Sequence, residues 1–308
     1  YELALSSKLY DVISKYKIDV LHVHYAIPHA YAAYMAKKIL DENGYNIPII
    51  TTLHGTDITL VGNHPFYKPA VTFSINKSDI VTCVSNSLRD DTREFFGIKR
   101  DIEVIPNFID IDKYDKKHHL CERNMIAEGE EKIIVHVSNF RPLKRIIDVI
   151  KIFDKISQKI NSKLIMVGDG PEKKKAKDFL RKNDLKNKVI FLGKTNEVDE
   201  ILCSSDLFLL PSEKESFGLA ALEAMALKVP VISSNVGGLK ELNINGNSGY
   251  TSDVGDIDSM SNNAIEILSN ENLKKEFKAQ AFENAKKYDI KKVIPLYENI
   301  YKKAIRNS

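Results

Sequence analysis

The sequence has no tryptophan, only three cysteines, and no apolar run near the roughly 18 residues a membrane helix needs. Cys83, Cys121 and Cys203 are odd in number, far apart and without a C-x-x-C. That argues against a disulfide framework or a zinc site and for a reducing compartment, with each cysteine a small core residue. Charge of one sign is also missing in excess, since 45 basic and 42 acidic side chains leave a formal +3. Without a basic tail or stripe, nucleic acid is not an expected partner. No charged-then-apolar leader opens the chain, so the expectation is a cytoplasmic protein with no stable membrane insertion. Solenoid repeats and low-complexity tracts are absent too.

What is present is enough apolar material for two domains: 308 residues, 43% hydrophobic, 28% charged. Short β-branched runs alternate with amphipathic helical windows. Strands are expected at 20–24, 47–52, 80–84 and 102–105, then at 132–137, 163–167, 189–192, 207–210 and 229–233. Helices are expected near 30–40 and 88–95, and the window 293–304 carries an apolar helical face. Continuous apolar strands separated by helices mean parallel sheet. The charge-rich stretch from Ile109 to Glu131 loses the pattern and reads as a linker. The fold class expected is therefore α/β, two Rossmann-like doubly wound domains facing a cleft. Residues 1–114 form the first, 115–288 the second, and 289–308 a terminal helix that packs back on the first. In such sheets ligands sit beyond the carboxyl ends of the strands.

The strand ends carry the chemistry. After strand 132–137 come Ser138-Asn139-Phe140-Arg141-Pro142-Leu143-Lys144-Arg145, cations at the mouth of a helix whose free N–H groups already attract phosphate. After strand 163–167 come Gly168-Asp169-Gly170-Pro171, where glycines allow close approach of backbone or ligand. After strand 207–210 comes Glu215-Ser216-Phe217-Gly218-Leu219, with Glu223 eight residues beyond Glu215. A helix starting near Phe217 would present the N–H groups of Phe217, Gly218 and Leu219, and Gly218 would leave room for a diphosphate. Glu215 can accept from sugar hydroxyls and Glu223 from the vicinal hydroxyls of a ribose. Val236-Gly237-Gly238 forms a further glycine turn, and in the first domain strand 47–52 ends in Leu53-His54-Gly55.

Together these residues resemble the retaining nucleotide-sugar glycosyltransferases of the two-Rossmann (GT-B) fold, in the branch marked by an E-x7-E element. Glu215 to Glu223 is similar to that element, and Gly168-Asp169-Gly170-Pro171, Pro106-Asn107 and Val236-Gly237-Gly238 resemble its companions in the same order. Within the branch, His22-Val23-His24-Tyr25, Thr51-Thr52-Leu53-His54-Gly55-Thr56-Asp57 and Ser138-Asn139-Phe140-Arg141 resemble the members that open bacillithiol assembly. The resemblance implies UDP-N-acetylglucosamine (UDP-GlcNAc) as donor and L-malate as acceptor. It implies His54, Lys144 and Glu215 as catalytic residues, with His54 beside the anomeric centre. It implies Asn139, Arg141, Lys144, Gly168, Gly170, Ser216, Phe217, Gly218, Leu219 and Glu223 for the donor; Tyr25, Thr52 and Arg89 are the acceptor candidates, Lys68 and Arg93 being the other first-domain cations available to two carboxylates. Asn139 stands where the wider branch has Arg, leaving open which cation is the second clamp. Relatives open with a first strand and a Gly-rich loop not found here, so the first domain is expected to be incomplete at its start.

No metal or other cofactor is expected, because the cations take the place of a nucleotide-bound divalent ion. Same-face attack is the expected route, the leaving diphosphate helping to deprotonate the acceptor hydroxyl. A lipid-linked or polysaccharide acceptor, a nucleotide-sugar epimerase on the same plan, and a non-catalytic nucleotide-binding module are the other readings. A homo-oligomer is compatible with all of them.

Overall fold

The computed structural model describes every residue except 61, 63, 115–120, 122, 124–125, 184 and 307–308. Contacts divide the chain into two units, Tyr1–Asn107 with Lys291–Ser308, and Phe108–Ile290. The two crossings run side by side: the Ile109 N–H donates to the Tyr288 carbonyl at 3.1 Å, and the Ile290 N–H to the Ile109 carbonyl at 2.8 Å. The expected linker, Ile109 to Glu131, lies partly outside the described residues. Its described start includes a tight turn over Ile111–Tyr114.

In the first unit four parallel strands, β1 (Leu21–His24), β2 (Ile49–Leu53), β3 (Ile80–Cys83) and β4 (Glu103–Val104), lie in that order. β2 reads IITTL and is buried along its whole length, as a parallel strand covered on both faces must be. Helices Glu2–Tyr16, Tyr31–Asp41, Lys68–Lys77 and Asn86–Phe96 accompany the sheet. The last begins at Ser85, whose hydroxyl accepts the Leu88 N–H at 3.1 Å, and ends at Gly97 in the left-handed conformation. The terminal helix Ile290–Arg306 returns to this unit, pairing Lys303 with Glu103 at 2.7 Å and setting Tyr297 and Tyr301 against His22.

The second unit holds six parallel strands: β5 (Lys132–Val137), β6 (Ser162–Val167), β7 (Val189–Gly193), β8 (Leu207–Leu210), β9 (Val231–Ser234) and β10 (Gly249–Ser252). Their order, β10-β9-β8-β5-β6-β7, reverses between β5 and β8. That is the switch point at which a doubly wound sheet opens a crevice at its carboxyl edge. Ile134, Phe153, Leu164, Met166, Leu207 and Leu209 are among the fully buried residues of its core. β10 is an element the pattern did not predict: GYTS has one β-branched residue and no apolar run, and among the named strands it pairs with β9.

The cysteine expectation is overturned. Cys121 and Cys203 form a disulfide with Cα atoms 5.6 Å apart, joining the stretch before β5 to the end of helix Val198–Cys203. The fold closes a separation of 82 residues that spacing alone could not reveal. Only Cys83, buried in β3, matches the core reading.

Gly168 shows what the strand ends require. Its φ is +120°, and a Cβ there would lie 1.8 Å from the Ser138 carbonyl oxygen; at Gly170 a Cβ would meet the Asn139 carbonyl at 2.1 Å. Bare Cα atoms after β6 thus press on the turn after β5. Gly44 is also at positive φ but has open space around it. Gly44→Ala is therefore expected to cost about 1 kcal/mol of backbone strain. Gly168→Ala should cost about 4 kcal/mol, in the range of the most damaging single substitutions. Urea denaturation of the two variants checks this, and equal losses would refute it.

Candidate active site

His136, within β5, sets the first wall. It is fully buried, its Nδ1–H donates to the Leu209 carbonyl at 2.8 Å, and Nε2 accepts from the Ser138 hydroxyl at 2.8 Å. Burial, with the nearby Lys144 charge adding to it, lowers its pKa to about 4, so the ring is neutral and its tautomer is set by the carbonyl. Ser138 Oγ in turn accepts the Phe140 N–H at 3.3 Å. A buried imidazole therefore holds the turn that leads to Arg141 and Lys144, with Phe140 packed beneath. Sequence reasoning missed His136; a histidine inside the apolar run KIIVHV was the available signal.

Lys144 closes a tight turn over Pro142–Lys144, and its ammonium forms an ion pair with Glu215 in which both side chains are largely buried. The Glu213 N–H donates to the Leu143 carbonyl at 2.8 Å, so a backbone bond brings the two loops together. Arg145 turns to Asp148 and Glu213, and its charge is spent within the loop. Arg141 and Asn139 are exposed beside it.

On the other side of the switch point, the loop from Ser212 to Gly218 rests on the glycine turn after β9. A Cβ on Gly237 would lie 1.9 Å from the Glu215 carbonyl oxygen, and the Gly238 N–H donates to that carbonyl at 3.0 Å. Helix Leu219–Ala226 starts two residues later than expected, with Gly218 at φ +99° before it. The space expected beside Gly218 for a diphosphate is filled: a Cβ there would meet Leu239 at 2.6 Å. The Phe217 side chain is also turned inward, edge-on to Tyr288 with centroids 5.4 Å apart, leaving only its backbone for a ligand. Gly168 and Gly170 likewise face the chain's own carbonyls. Ser216 lies half-buried and Leu219 exposed around the helix start.

Glu223 lies within that helix, eight residues beyond the loop residue Glu215, and is half-buried. Burial first, and the charge of Asp199 second, raise its pKa from 4.5 to about 7. Tyr114 shares the neighbourhood, its phenol held above the ordinary range by burial and then by Glu223 and Asp199.

In the first unit, His54 follows β2. Burial and then His24 lower its pKa to about 4, so the imidazole is neutral. The Tyr25 ring lies 5.1 Å from it and is partly exposed. Thr52 corrects the sequence reading: it has no exposed surface, and its hydroxyl bonds His22 Nε2 at 2.8 Å and Thr82 at 2.7 Å. It supports His22 rather than facing an acceptor. Arg89 pairs with Asp90 at 2.9 Å. Among the described residues no cluster of three or more His, Cys, Asp or Glu could hold a metal ion, and no helix is long and apolar enough to cross a membrane.

Comparison with known proteins bears on the family and the fold. Residues 122–286 match the family model of glycosyl transferases group 1, and residues 1–113 that of Glycosyltransferase Family 4. The N-acetyl-alpha-D-glucosaminyl L-malate synthase of Bacillus anthracis is 43% identical over 310 residues, covering 100% of this chain and 80% of that protein. An uncharacterized glycosyltransferase of Methanocaldococcus jannaschii is 29% identical over 94% of this chain and 77% of its own length. Among solved structures, sucrose-phosphate synthase from Thermosynechococcus elongatus superposes with a TM-score of 0.84 at 18% identity, over 98% of this chain and 78% of that one. An Anabaena protein in complex with UDP and glucose gives a TM-score of 0.81 at 20% identity, over 97% and 80%. With two parallel-sheet α/β units of the GT-B class and both family models matched in order, this chain belongs to the glycosyl transferases of group 1.

Proposed function

We propose that the protein transfers N-acetylglucosamine from UDP-GlcNAc to L-malate with retention, the opening step of bacillithiol assembly. The observation that carries the choice of substrates is the 43% identity, over the whole of this chain, with a synthase of that name. The fold alone is shared with proteins of other activities. With such substrates we place the activity in the cytoplasm.

In this reading the second unit takes the donor. Lys144 exchanges its contact with Glu215 for the diphosphate, Arg141 assists from its exposed position, and the N–H groups at the start of helix Leu219–Ala226 face the phosphates. Glu215, released from Lys144, accepts from the sugar hydroxyls, and Glu223 accepts from the ribose. Asn139 and Ser216 border the same turn ends. Gly168, Gly170 and Gly218 act by letting loops pack. The first unit supplies His54, with Tyr25 beside it and Arg89 on the helix after β3 for the acceptor carboxylates. The acceptor hydroxyl attacks the anomeric carbon on the face that UDP leaves, and its proton passes to the departing diphosphate. The cations built into the chain do the work a divalent ion would do, and no metal is assigned.

The test is mass spectrometry of products after incubation with UDP-GlcNAc and a panel of hydroxy acids and sugars, with and without a chelator. N-acetylglucosaminyl malate, formed equally in both, is expected; a different acceptor reacting while malate fails would remove the substrate assignment. Lys144→Ala, assayed at a temperature where it is folded, should lower kcat/KM by about 10², the cost of one preorganised charge contact worth ~3 kcal/mol, and should also melt lower than the parent because it leaves the Glu215 carboxylate buried without its partner. Undiminished turnover would refute its role.

Glu223 offers a test by linkage. A carboxyl whose folded pKa is about 7 against an ordinary 4.5 binds its proton more tightly when folded. Stability therefore falls as pH rises between those values, by up to ~3 kcal/mol. Glu223→Gln is expected to melt higher than the parent at pH 8 and no higher at pH 4.5, while its Kd for UDP rises at least tenfold at pH 8. Melting curves at the two pH values and calorimetric UDP binding check both signs.

A further inference from the structure

His24 ends β1 and His54 follows β2, and the register of the two parallel strands, His24 beside Thr52, brings their rings together. The centroids are 5.0 Å apart, and His24 Nδ1 lies 2.8 Å from His54 Nε2. One N–H must occupy that line, and two neutral imidazoles can arrange it in two ways. If His24 donates, His54 carries its own proton at Nδ1 and offers a donor there. If His54 donates through Nε2, its Nδ1 is a bare lone pair and offers an acceptor. The partner ring thus decides which chemistry His54 presents.

The surroundings hold this pair in place without a counter-charge on either ring. His29 Nδ1–H donates to the His24 carbonyl at 2.6 Å, fixing the end of β1. The His22 ring lies 4.7 Å from that of His24, with Nδ1 on the Tyr301 hydroxyl at 2.9 Å and Nε2 on Thr52. Tyr297 packs on His22 at 5.6 Å, and Tyr25 on His54. The Asp57 carboxylate is taken by the N–H groups of Ala26 at 2.8 Å and Gly55 at 3.0 Å. Among the described residues no carboxylate bonds either imidazole. Burial lowers the pKa of all three, with His29 adding to it at His24, His24 at His54, and both His24 and His54 at His22. The rings are neutral at neutral pH and repel a second proton.

We propose that His24 is the positioning residue for His54: their shared hydrogen bond fixes the His54 ring plane and couples the tautomer it presents to the reaction to that of His24. The proposal rests on the reading above for His54's place in catalysis, but the bond itself belongs to the free protein. A structural role alone would require only bulk at position 24; a tautomer-coupling role requires a hydrogen-bonding atom at the Nδ1 position.

Nitrogen-15 imidazole spectroscopy of the full chain without substrate tests the bond directly. In the parent, His54 should show one dominant tautomer and titrate well below 6.5; in His24→Ala its tautomers should mix and its midpoint rise. The turnover arm uses the same proteins. His24→Ala should lose roughly ten- to a hundredfold in kcat, as misplaced catalytic groups do, with the KM for UDP-GlcNAc little changed. His24→Asn, whose amide can reach the same line, should recover most of the loss and the single tautomer. An unchanged His54 spectrum in His24→Ala, or equal kcat in the Ala and Asn variants, would overturn the proposal. If no acceptor is turned over by the parent, the functional reading falls while the spectra still decide for or against the His24–His54 bond.

Discussion

Contact between bare glycine Cα atoms and backbone carbonyls is the constraint on which the second unit's carboxyl edge depends. Gly168 and Gly170 press the end of β6 on Ser138 and Asn139, and Gly237 presses the end of β9 on Glu215. A side chain at any of them would have to displace backbone, which a packed edge cannot absorb cheaply. These contacts fasten two strand ends, after β5 and after β8, on either side of the sheet's switch point. Lys144 and Glu215 are brought into contact because the loops carrying them are held from outside by glycine and from between by the Glu213 to Leu143 backbone bond. The glycines shape the candidate site through the carbonyls their Cα atoms press on.

The ion pair is the consequence. Two largely buried charges cost free energy to desolvate and repay it only through each other, so neither can be left alone. In the proposed reading, an arriving diphosphate would substitute one anion for another beside Lys144, and the released carboxylate would find hydroxyl donors on the sugar. Exchange of partners avoids the larger cost of exposing a buried lysine to nothing. Arg145, one residue on, cannot do the same, since Asp148 and Glu213 already hold its guanidinium. Adjacent cations in the sequence thus differ in availability because a turn points their side chains to different carboxylates.

How much was legible follows from which interactions are local. β5 and β8 read from the sequence to the residue because LFLL is apolar throughout and KIIVHV is apolar but for Lys132 and His136, each bounded by polar turns. The motif order placed the strand ends that carry Lys144, Glu215, Glu223 and His54. β10 escaped because its pairing with β9, not its composition, makes it a strand. Thr52 and Gly218 were misread for a related reason. A sequence shows that a small or polar residue follows a strand, whereas the side it faces depends on neighbours from distant segments, here His22 and Leu239. The Cys121–Cys203 bridge and the hydrogen bonds of His136 lie in the same class of non-local facts.

Burial acts in opposite directions on carboxyl groups and imidazoles and reaches the same end. It raises Glu223 toward neutrality and lowers His22 and His54 below it, so in each case the uncharged form is favoured. Both sets of residues therefore rest with little charge of their own, while the substrates proposed for them are strongly anionic. A neutral imidazole accepts or donates one hydrogen bond at a chosen nitrogen and does not hold a carboxylate as an ion pair, which would slow release of an anionic product. A carboxyl near its midpoint does not repel an approaching diphosphate as a full charge would. Under that proposal Lys144 is a strong charge kept in reserve, screened by Glu215 until a more anionic group displaces it. Under the same proposal, the stability lost at Glu223 as pH rises is the cost of keeping a side chain for a ligand rather than for the fold.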